Sequence, residues 1–271
     1  MINNNMRQIT AFILGAFILL PGCISEDKPV AVTPAKQQQM TKEVPKEMPK
    51  EIPKEAPKAT SKEAESKTPK MDKRKSLDLS SPSSITVLVN KKRALPANYV
   101  PNDLVQPNVP FSSPGKAEKK LLRKEAAKAL EQLFQEAKRQ NVELVALSGY
   151  RSYNTQQATF QSAIERKGMA SALKYNARPG YSEHQTGLAM DVSSRSINLK
   201  ILVSFSETKE GKWLAKHAHE FGFIIRYPKG KENITGYGYE PWHIRYVGKE
   251  IAKEINSTGM ALEEYASMIS R

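Results

Sequence analysis

Between Lys116 and Gln140 the apolar residues fall at Leu121, Leu122, Ala126, Ala129, Leu130, Leu133, Phe134 and Ala137. Steps of three and four residues put one apolar stripe on a helix, so this segment is predicted to be amphipathic and helical. Similar spacing predicts helices over Asn154–Arg166, with Gly168 suited to end it, over Trp213–Phe221, stopped by Gly222, and over Lys249–Ile255. Short apolar runs predict strands at Ile85–Val89, Val142–Ser148, Phe223–Tyr227 and Tyr239–Val247, the last in spite of Pro241. The proline-punctuated stretch from Pro96 to Pro114 reads as ordered but irregular, anchored by Tyr99, Leu104, Val109 and Phe111. The expected fold class is α+β: a small, mostly antiparallel sheet with helices packed on it.

The pattern changes sharply before residue 84. Residues 42–57 are four tandem copies of Lys-Glu-x-Pro. A proline every fourth residue prevents a helix, and alternating charge leaves no apolar face. This is the composition of a solvated, polyproline-leaning tether. Its roughly 55 residues at about 3.1 Å each reach at most about 170 Å. Upstream, Ile9–Leu20 is a largely apolar run of 12 residues behind Arg7, too short to span a bilayer and suited to an export signal. It ends in Leu20-Pro21-Gly22-Cys23, and Cys23 is the single cysteine of the chain. A small residue before a cysteine at this point resembles a bacterial lipobox. The expectation is therefore a lipoprotein signal at 1–22, a lipidated Cys23 followed by a disordered linker to residue 83, and one folded domain over 84–271. An ordinary secretory signal with an incidental cysteine is the alternative. A lone cysteine excludes an intrachain disulfide.

The net charge is +14, and residues 79–271 alone carry 28 Lys+Arg against 18 Asp+Glu. Such a charge suits nucleic acid or an anionic envelope of wall polymers and lipid headgroups. The export signal favours the envelope, so no nucleic-acid partner is expected, and the domain is expected to be a monomer.

Residues 181–191 read YSEHQTGLAMD and residues 239–243 read YEPWH. They supply His184 and Asp191 seven apart, and Glu240 three before His243. Two histidines and one carboxylate are the ligand count of a catalytic zinc, which keeps a position open for water. A further glutamate that does not bind metal can then carry the proton from water to a leaving amine. Burying Asp191 between Met190 and Val192 without a partner would be costly, which favours a metal or a cation beside it. Spacing alone does not close the site. Seven residues of straight strand would send His184 and Asp191 to opposite faces, so a turn at Gly187 is needed. His217 and His219 lie in no such motif and read as surface or packing residues.

The segments SGYRS (148–152), SEHQTGLAMDV (182–192) and EPWHIRYVG (240–248), in this order and with FGFIIRYP (221–228) between the last two, resemble the VanY-type D-alanyl-D-alanine carboxypeptidases, a group of bacterial zinc peptidases. The resemblance covers about residues 84–256. It implies that His184, Asp191 and His243 bind one Zn²⁺ at the sheet and that Glu240 is the general base. It places Arg151 near the substrate, either on the terminal carboxylate or on the developing oxyanion. It assigns Gln156 and Ser182 to anchoring the terminal carboxylate, and Trp242 to packing. The implied substrate is the peptidoglycan stem peptide, from which a C-terminal D-alanine is removed by a membrane-tethered enzyme facing the wall.

Two alternatives stay open. Relatives with the same motifs include L,D-carboxypeptidases acting on tetrapeptide stems. A wall-binding module with a structural zinc and no turnover is a different class, and the presence of Glu240 speaks against it.

Overall fold

The structure is a computed structural model that describes residues 77–115 and 117–270. The expected export signal, Cys23 and most of the expected tether lie outside the described residues. Packed structure extends upstream of Ser84, since Leu77 and Leu79 rest on a buried cluster.

The elements run β1 (Leu104–Val105), β2 (Leu122–Arg123), α1 (Lys124–Arg139), β3 (Val145–Ser148), α2 (Tyr153–Tyr175), β4 (Ala189–Ser193), α3 (Lys209–His217), β5 (Phe223–Ile225), the short α4 (Glu232–Thr235), β6 (His243–Tyr246), α5 (Lys249–Thr258) and α6 (Leu262–Ile269). Strands β3, β4, β6 and β5 form, in that order, one antiparallel sheet, and β1 pairs with β2 in a small second one. The fold is α+β, as the alternation of helical and strand patterns predicts. Among the described residues no helix is long and apolar enough to cross a membrane.

The largest buried cluster joins the apolar stripe of α1 (Ala126, Leu130, Leu133, Ala137) to Ala146, Met190, Val192 and Ile244 of the sheet and to Trp213 and Leu214 of α3. A second cluster sets Ala252 and Ile255 of α5 and Leu262, Tyr265 and Ala266 of α6 against Ile224 and Val247. The edge of β3 is covered by the irregular segment before it. Pro110 O accepts from Ala146 N at 2.9 Å, and Ser112 N donates back to Ala146 O at 3.1 Å. Covering a free strand edge in this way blocks pairing with other chains.

Several boundaries differ from the sequence reading. Helix α1 starts at Lys124 rather than Lys116, because Glu118–Lys120 forms a 3₁₀ turn and residues 121–123 are needed as extended backbone: Leu121 O accepts from Tyr150 N at 2.7 Å, and Arg123 N donates to Gly187 O at 2.8 Å. The Ile85–Val89 run is buried but joins no strand. Its carbonyls at Ile85 and Val87 are taken by the guanidinium of Arg245 at 3.1 and 2.8 Å. Gly168 has φ +77° and breaks α2, but helix resumes beyond it to Tyr175. Strand β6 begins only at His243; Glu240–Trp242 is a turn, closed by His243 N on Glu240 O at 3.2 Å. Helix α6 has no counterpart in the sequence reading.

Candidate metal centre and substrate cleft

Asp191 of β4 and His243 of β6 are direct partners in antiparallel register, so their side chains emerge side by side on one face of the sheet. His184 comes from a 3₁₀ turn, Glu183–Thr186, that ends at Gly187 with φ +67°. A Cβ at Gly187 would stand 2.9 Å from Leu104 Cδ2, so both the left-handed turn and the close approach call for glycine. That turn returns the chain into β4 and brings Asp191 beside His184.

The three donors converge. Asp191 Oδ1 lies 2.9 Å from His243 Nδ1, and Asp191 Oδ2 lies 3.4 Å from His184 Nε2. One ligand atom from each residue falls within 4.8 Å of the others. The imidazoles meet edge to face at 5.0 Å. All three residues are buried. Donors at these separations can share a tetrahedral ion with bonds of about 2.0–2.2 Å.

The second nitrogen of each imidazole is committed elsewhere, as a ligand's outer contact should be. His184 Nδ1 donates to Gly149 O at 2.7 Å, which leaves Nε2 for a metal. Gly149 is itself forced, because a Cβ there would sit 2.5 Å from Leu121 O. His243 Nε2 faces Glu183 Oε2 at 3.6 Å, which leaves Nδ1 for a metal. Burial holds His184 down to about 3, against the pull of Asp191, so it stays neutral. Burial also opposes a proton on His243, but the Asp191 and Glu183 carboxylates together outweigh it and push the group up to about 9. Burial would raise Asp191, yet His184 and His243 hold it below the ordinary aspartate range. The pocket is thus arranged to hold positive charge.

Glu240 precedes the turn into β6 and is fixed by its backbone N–H on Tyr227 O at 3.0 Å. Burial lifts its carboxyl to about 7; His243 opposes this, and Asp191 and Glu183 reinforce it. A carboxylate titrating near neutrality is suited to take and return a proton.

These groups line a cleft of about 210 Å³ together with Arg151, Gln156, Ser182, Tyr175, Tyr237 and Trp242. Arg151 follows β3 and α2 starts two residues later, so its guanidinium is held between fixed elements. It donates to Gln156 Oε1 at 2.8 Å and to Ser148 Oγ at 3.1 Å. Gln156 is buried and anchored in turn by its amide N–H on Ala177 O at 2.7 Å. Among the described residues no carboxylate forms an ion pair with Arg151, which leaves its charge available to an anionic ligand. Trp242 lines the cleft and also packs against the main core. His217 and His219 lie away from it; His217 stacks on Trp213 at 4.9 Å and bonds Glu220 at 2.9 Å.

The structure gathers in this cleft Arg151, Gln156, Ser182, His184, Asp191, Glu240 and His243, the residues the sequence singles out for metal and substrate, but the sequence reading missed Glu183, Arg226, Arg245 and Tyr237. Glu183 Oε1 accepts from Arg226 Nε at 2.7 Å and from Arg245 Nη1 at 2.6 Å, with all three side chains buried. Two arginines within otherwise apolar strand segments, FIIRY and HIRYV, were a usable signal, because buried cations require a buried acid.

Residues 119–249 match the family model described as VanY, D-alanyl-D-alanine carboxypeptidase. The chain is 51% identical over 193 residues to a Bacillus subtilis (strain 168) protein named "Putative carboxypeptidase YodJ", covering 71% of each. Among solved structures it resembles the LdcB LD-carboxypeptidase, a structure concerned with peptidoglycan recognition, at 53% identity and TM-score 0.66, over 68% of this chain and 86% of that one. It also resembles a mutant of the vancomycin-resistance D,D-pentapeptidase VanY from a VanB-type cassette in complex with Zn(II), at 34% identity and TM-score 0.55, over 68% of this chain and 99% of that one.

Proposed function

Because the chain belongs to the VanY family of carboxypeptidases, which are hydrolases, we propose that it is a zinc carboxypeptidase releasing the C-terminal D-alanine from peptidoglycan stem peptides. The observation that carries this reading is the convergence of His184 Nε2, Asp191 and His243 Nδ1, with half-buried Glu240 beside them and, in the same cleft, Arg151, which has no ionic partner among the described residues. The Zn(II) complex of the VanY relative supports zinc as the ion.

Zinc, when bound, polarises a carbonyl and makes a water nucleophilic near neutral pH. The rest is the work of the chain's own side chains. Arg151, held by Ser148 and Gln156, pairs with the terminal carboxylate, and Ser182 lies in the same cleft to assist. This fixes the scissile bond one residue from the chain end and confines the reaction to termini. Glu240 takes the proton of the attacking water and returns it to the departing amine of D-alanine. Glu183, which faces Nε2 at 3.6 Å, orients the His243 ring so that Nδ1 is presented to the ion.

The residue before the scissile bond separates two reactions. The family model supports D-alanine there, a D,D-carboxypeptidase acting on pentapeptides. The greater similarity to the LD-carboxypeptidase, 53% against 34% identity, favours an L-residue there, hence tetrapeptides, as a second reading. One assay tests both. Purified zinc-loaded protein is offered a pentapeptide ending in D-Ala-D-Ala and, separately, a tetrapeptide ending in one D-Ala, with and without a chelator. Chelator-sensitive D-alanine release is expected, and the preferred peptide fixes the specificity. Absence of release from both, with zinc bound, would overturn the enzymatic reading.

The same proposal places the enzyme at the outer face of the cell membrane, held by lipid on Cys23. The Ile9–Leu20 run and the Leu-Pro-Gly-Cys that ends it support this. Cys23→Ser is expected to move the protein from the membrane to the soluble fraction; unchanged fractionation would remove the anchor.

A further inference from the structure

Among the described residues, the buried side-chain atoms without a hydrogen-bond partner are Tyr150 Oη, Glu183 Oε2, Gln185 Oε1, His219 Nδ1, Tyr237 Oη and His243 Nε2. Only Glu183, Tyr237 and His243 of these line the cleft. Glu183 Oε2 and His243 Nε2 face each other at 3.6 Å, so each is the other's counterpart. Tyr237 Oη has none.

An unpartnered buried hydroxyl is costly, because it has left water without replacing the lost hydrogen bond. Yet the ring of Tyr237 is held firmly. It is 5% exposed. It lies 4.6 Å from the Tyr227 ring, which stacks on His243 at 5.0 Å. Lys91 Nζ sits 4.5 Å from its centroid and is fixed by donation to Leu173 O at 2.9 Å. The Tyr237 N–H donates to Thr235 Oγ1 at 3.2 Å. A side chain so constrained has no freedom to turn its hydroxyl to bulk water. Burial, reinforced by Glu240, raises the phenol well above its ordinary value, so it remains a donor.

The neighbours locate it within the cleft. The Tyr237 ring adjoins the metal-ligand cluster from the side of Tyr227 and His243, whereas Arg151 is held on the side of Ser148 and Gln156. The carboxylate end of a peptide is provided for by Arg151 and Gln156. What the Tyr237 side can meet is the rest of the peptide, which presents backbone carbonyl oxygens and thus acceptors for an O–H donor.

We propose that the Tyr237 hydroxyl binds substrate, donating a hydrogen bond to a backbone carbonyl oxygen of the stem peptide on the acyl side of the scissile bond. This rests on the carboxypeptidase reading and adds a contact to it. It also explains why a phenol rather than a phenyl ring occupies the position.

Tyr237→Phe tests it cleanly, because the oxygen removed makes no bond in the free protein. In the zinc-loaded protein, kcat/KM for D-alanine release is expected to fall about tenfold or more. Zinc content should be unchanged, melting temperature should be equal to wild type or higher because an unanswered hydroxyl is removed, and inhibition by free D-alanine, which occupies the other side of the bond, should stay within about twofold of wild type. Activity within about twofold of wild type would overturn the proposal. So would loss of zinc or of thermal stability in parallel with activity, which marks a structural role, or a matching loss of D-alanine inhibition, which puts the hydroxyl on the amine side. Peptide binding to Glu240→Gln protein, with and without Tyr237→Phe, reads the contact without turnover. Weaker binding by about fivefold or more supports it even if wild-type protein releases no D-alanine, an outcome that would count against the parent reading alone; equal binding overturns it.

Discussion

The two ring nitrogens of His243 face two different charged assemblies. Nε2 looks towards Glu183, whose Oε1 is held by Arg226 and Arg245; Arg226 in turn grips Glu263 of α6 with two bonds, at 2.7 and 2.9 Å. Arg245 spends its remaining donors on Ile85 O, Val87 O and Tyr246 O. This assembly is closed. Its guanidiniums have protein acceptors, and it ties the β5–β6 edge to α6 and to the segment upstream of β1. Nδ1 looks towards Asp191, Glu240 and the cleft. That side is open: a carboxylate raised to about 7 and, among the described residues, an arginine without an ionic partner and a phenol without an acceptor. Glu183, Arg226 and Arg245 on the closed side are fully buried, whereas Arg151 and Glu240 on the open side are only half-buried. Where the guanidinium donors are answered from within the chain, the result is a fixed framework; where the charges and the phenol are not, they are available to a metal and a peptide.

The difference should show most strongly at Glu240. Glu240→Ala removes a proton carrier but no metal ligand and no part of the closed assembly. D-alanine release is expected to fall about 10²–10⁴-fold, with zinc content and melting temperature near wild type. Zinc content is read by elemental analysis and stability by thermal unfolding. An active Glu240→Ala protein would end its role as base, and a loss of zinc would make it a structural member of the centre.

The two sides were not equally legible in the sequence. The open side was, because catalysis imposes residue types: His184, Asp191, Glu240, His243 and Arg151 stand in short motifs whose chemistry is recognisable. What motifs could not supply was the register that sets Asp191 opposite His243, or the backbone contacts that orient His184 through Gly149. The closed side was not read, although Arg226 and Arg245 stand in the quoted segments. Its arginines are 43 and 62 residues from Glu183; their place in apolar strands signals a buried acid, but no local pattern says which one. The same long-range demand explains the misread Ile85–Val89 segment, whose strand-like composition was real but whose carbonyls Arg245 had claimed. It also explains the late start of α1: residues 119–123 have helical spacing, yet their carbonyls and amides are needed by Gly149, Tyr150 and Gly187. Periodicity reports which face is buried, and says nothing about a backbone group recruited by a distant loop.

A smaller but more discriminating effect is expected at Glu183, which belongs to the closed side yet touches the open one. The Glu183→Gln substitution leaves the buried Arg226 and Arg245 without their shared charge, and breaking a buried pair in this way costs about 3–5 kcal/mol. Burial alone would raise the Glu183 carboxyl; Arg226 and Arg245 override it and hold the group far below the ordinary glutamate range. A depressed folded-state pKa means that its ionised form stabilises the protein fully above the unfolded value, near 4.3, and that this contribution is lost as pH falls from there through the folded value. The stability gap between wild type and Glu183→Gln, measured by denaturant unfolding, should therefore be flat from about pH 7 to pH 5 and narrow progressively below about pH 4. Zinc affinity should also fall, by about 10–100-fold, because His243 loses the carboxylate facing Nε2. If stability drops while zinc affinity holds, Glu183 serves the closed assembly only. If zinc affinity drops while stability holds, the two arginines are satisfied without it and the closed assembly is not the framework described above.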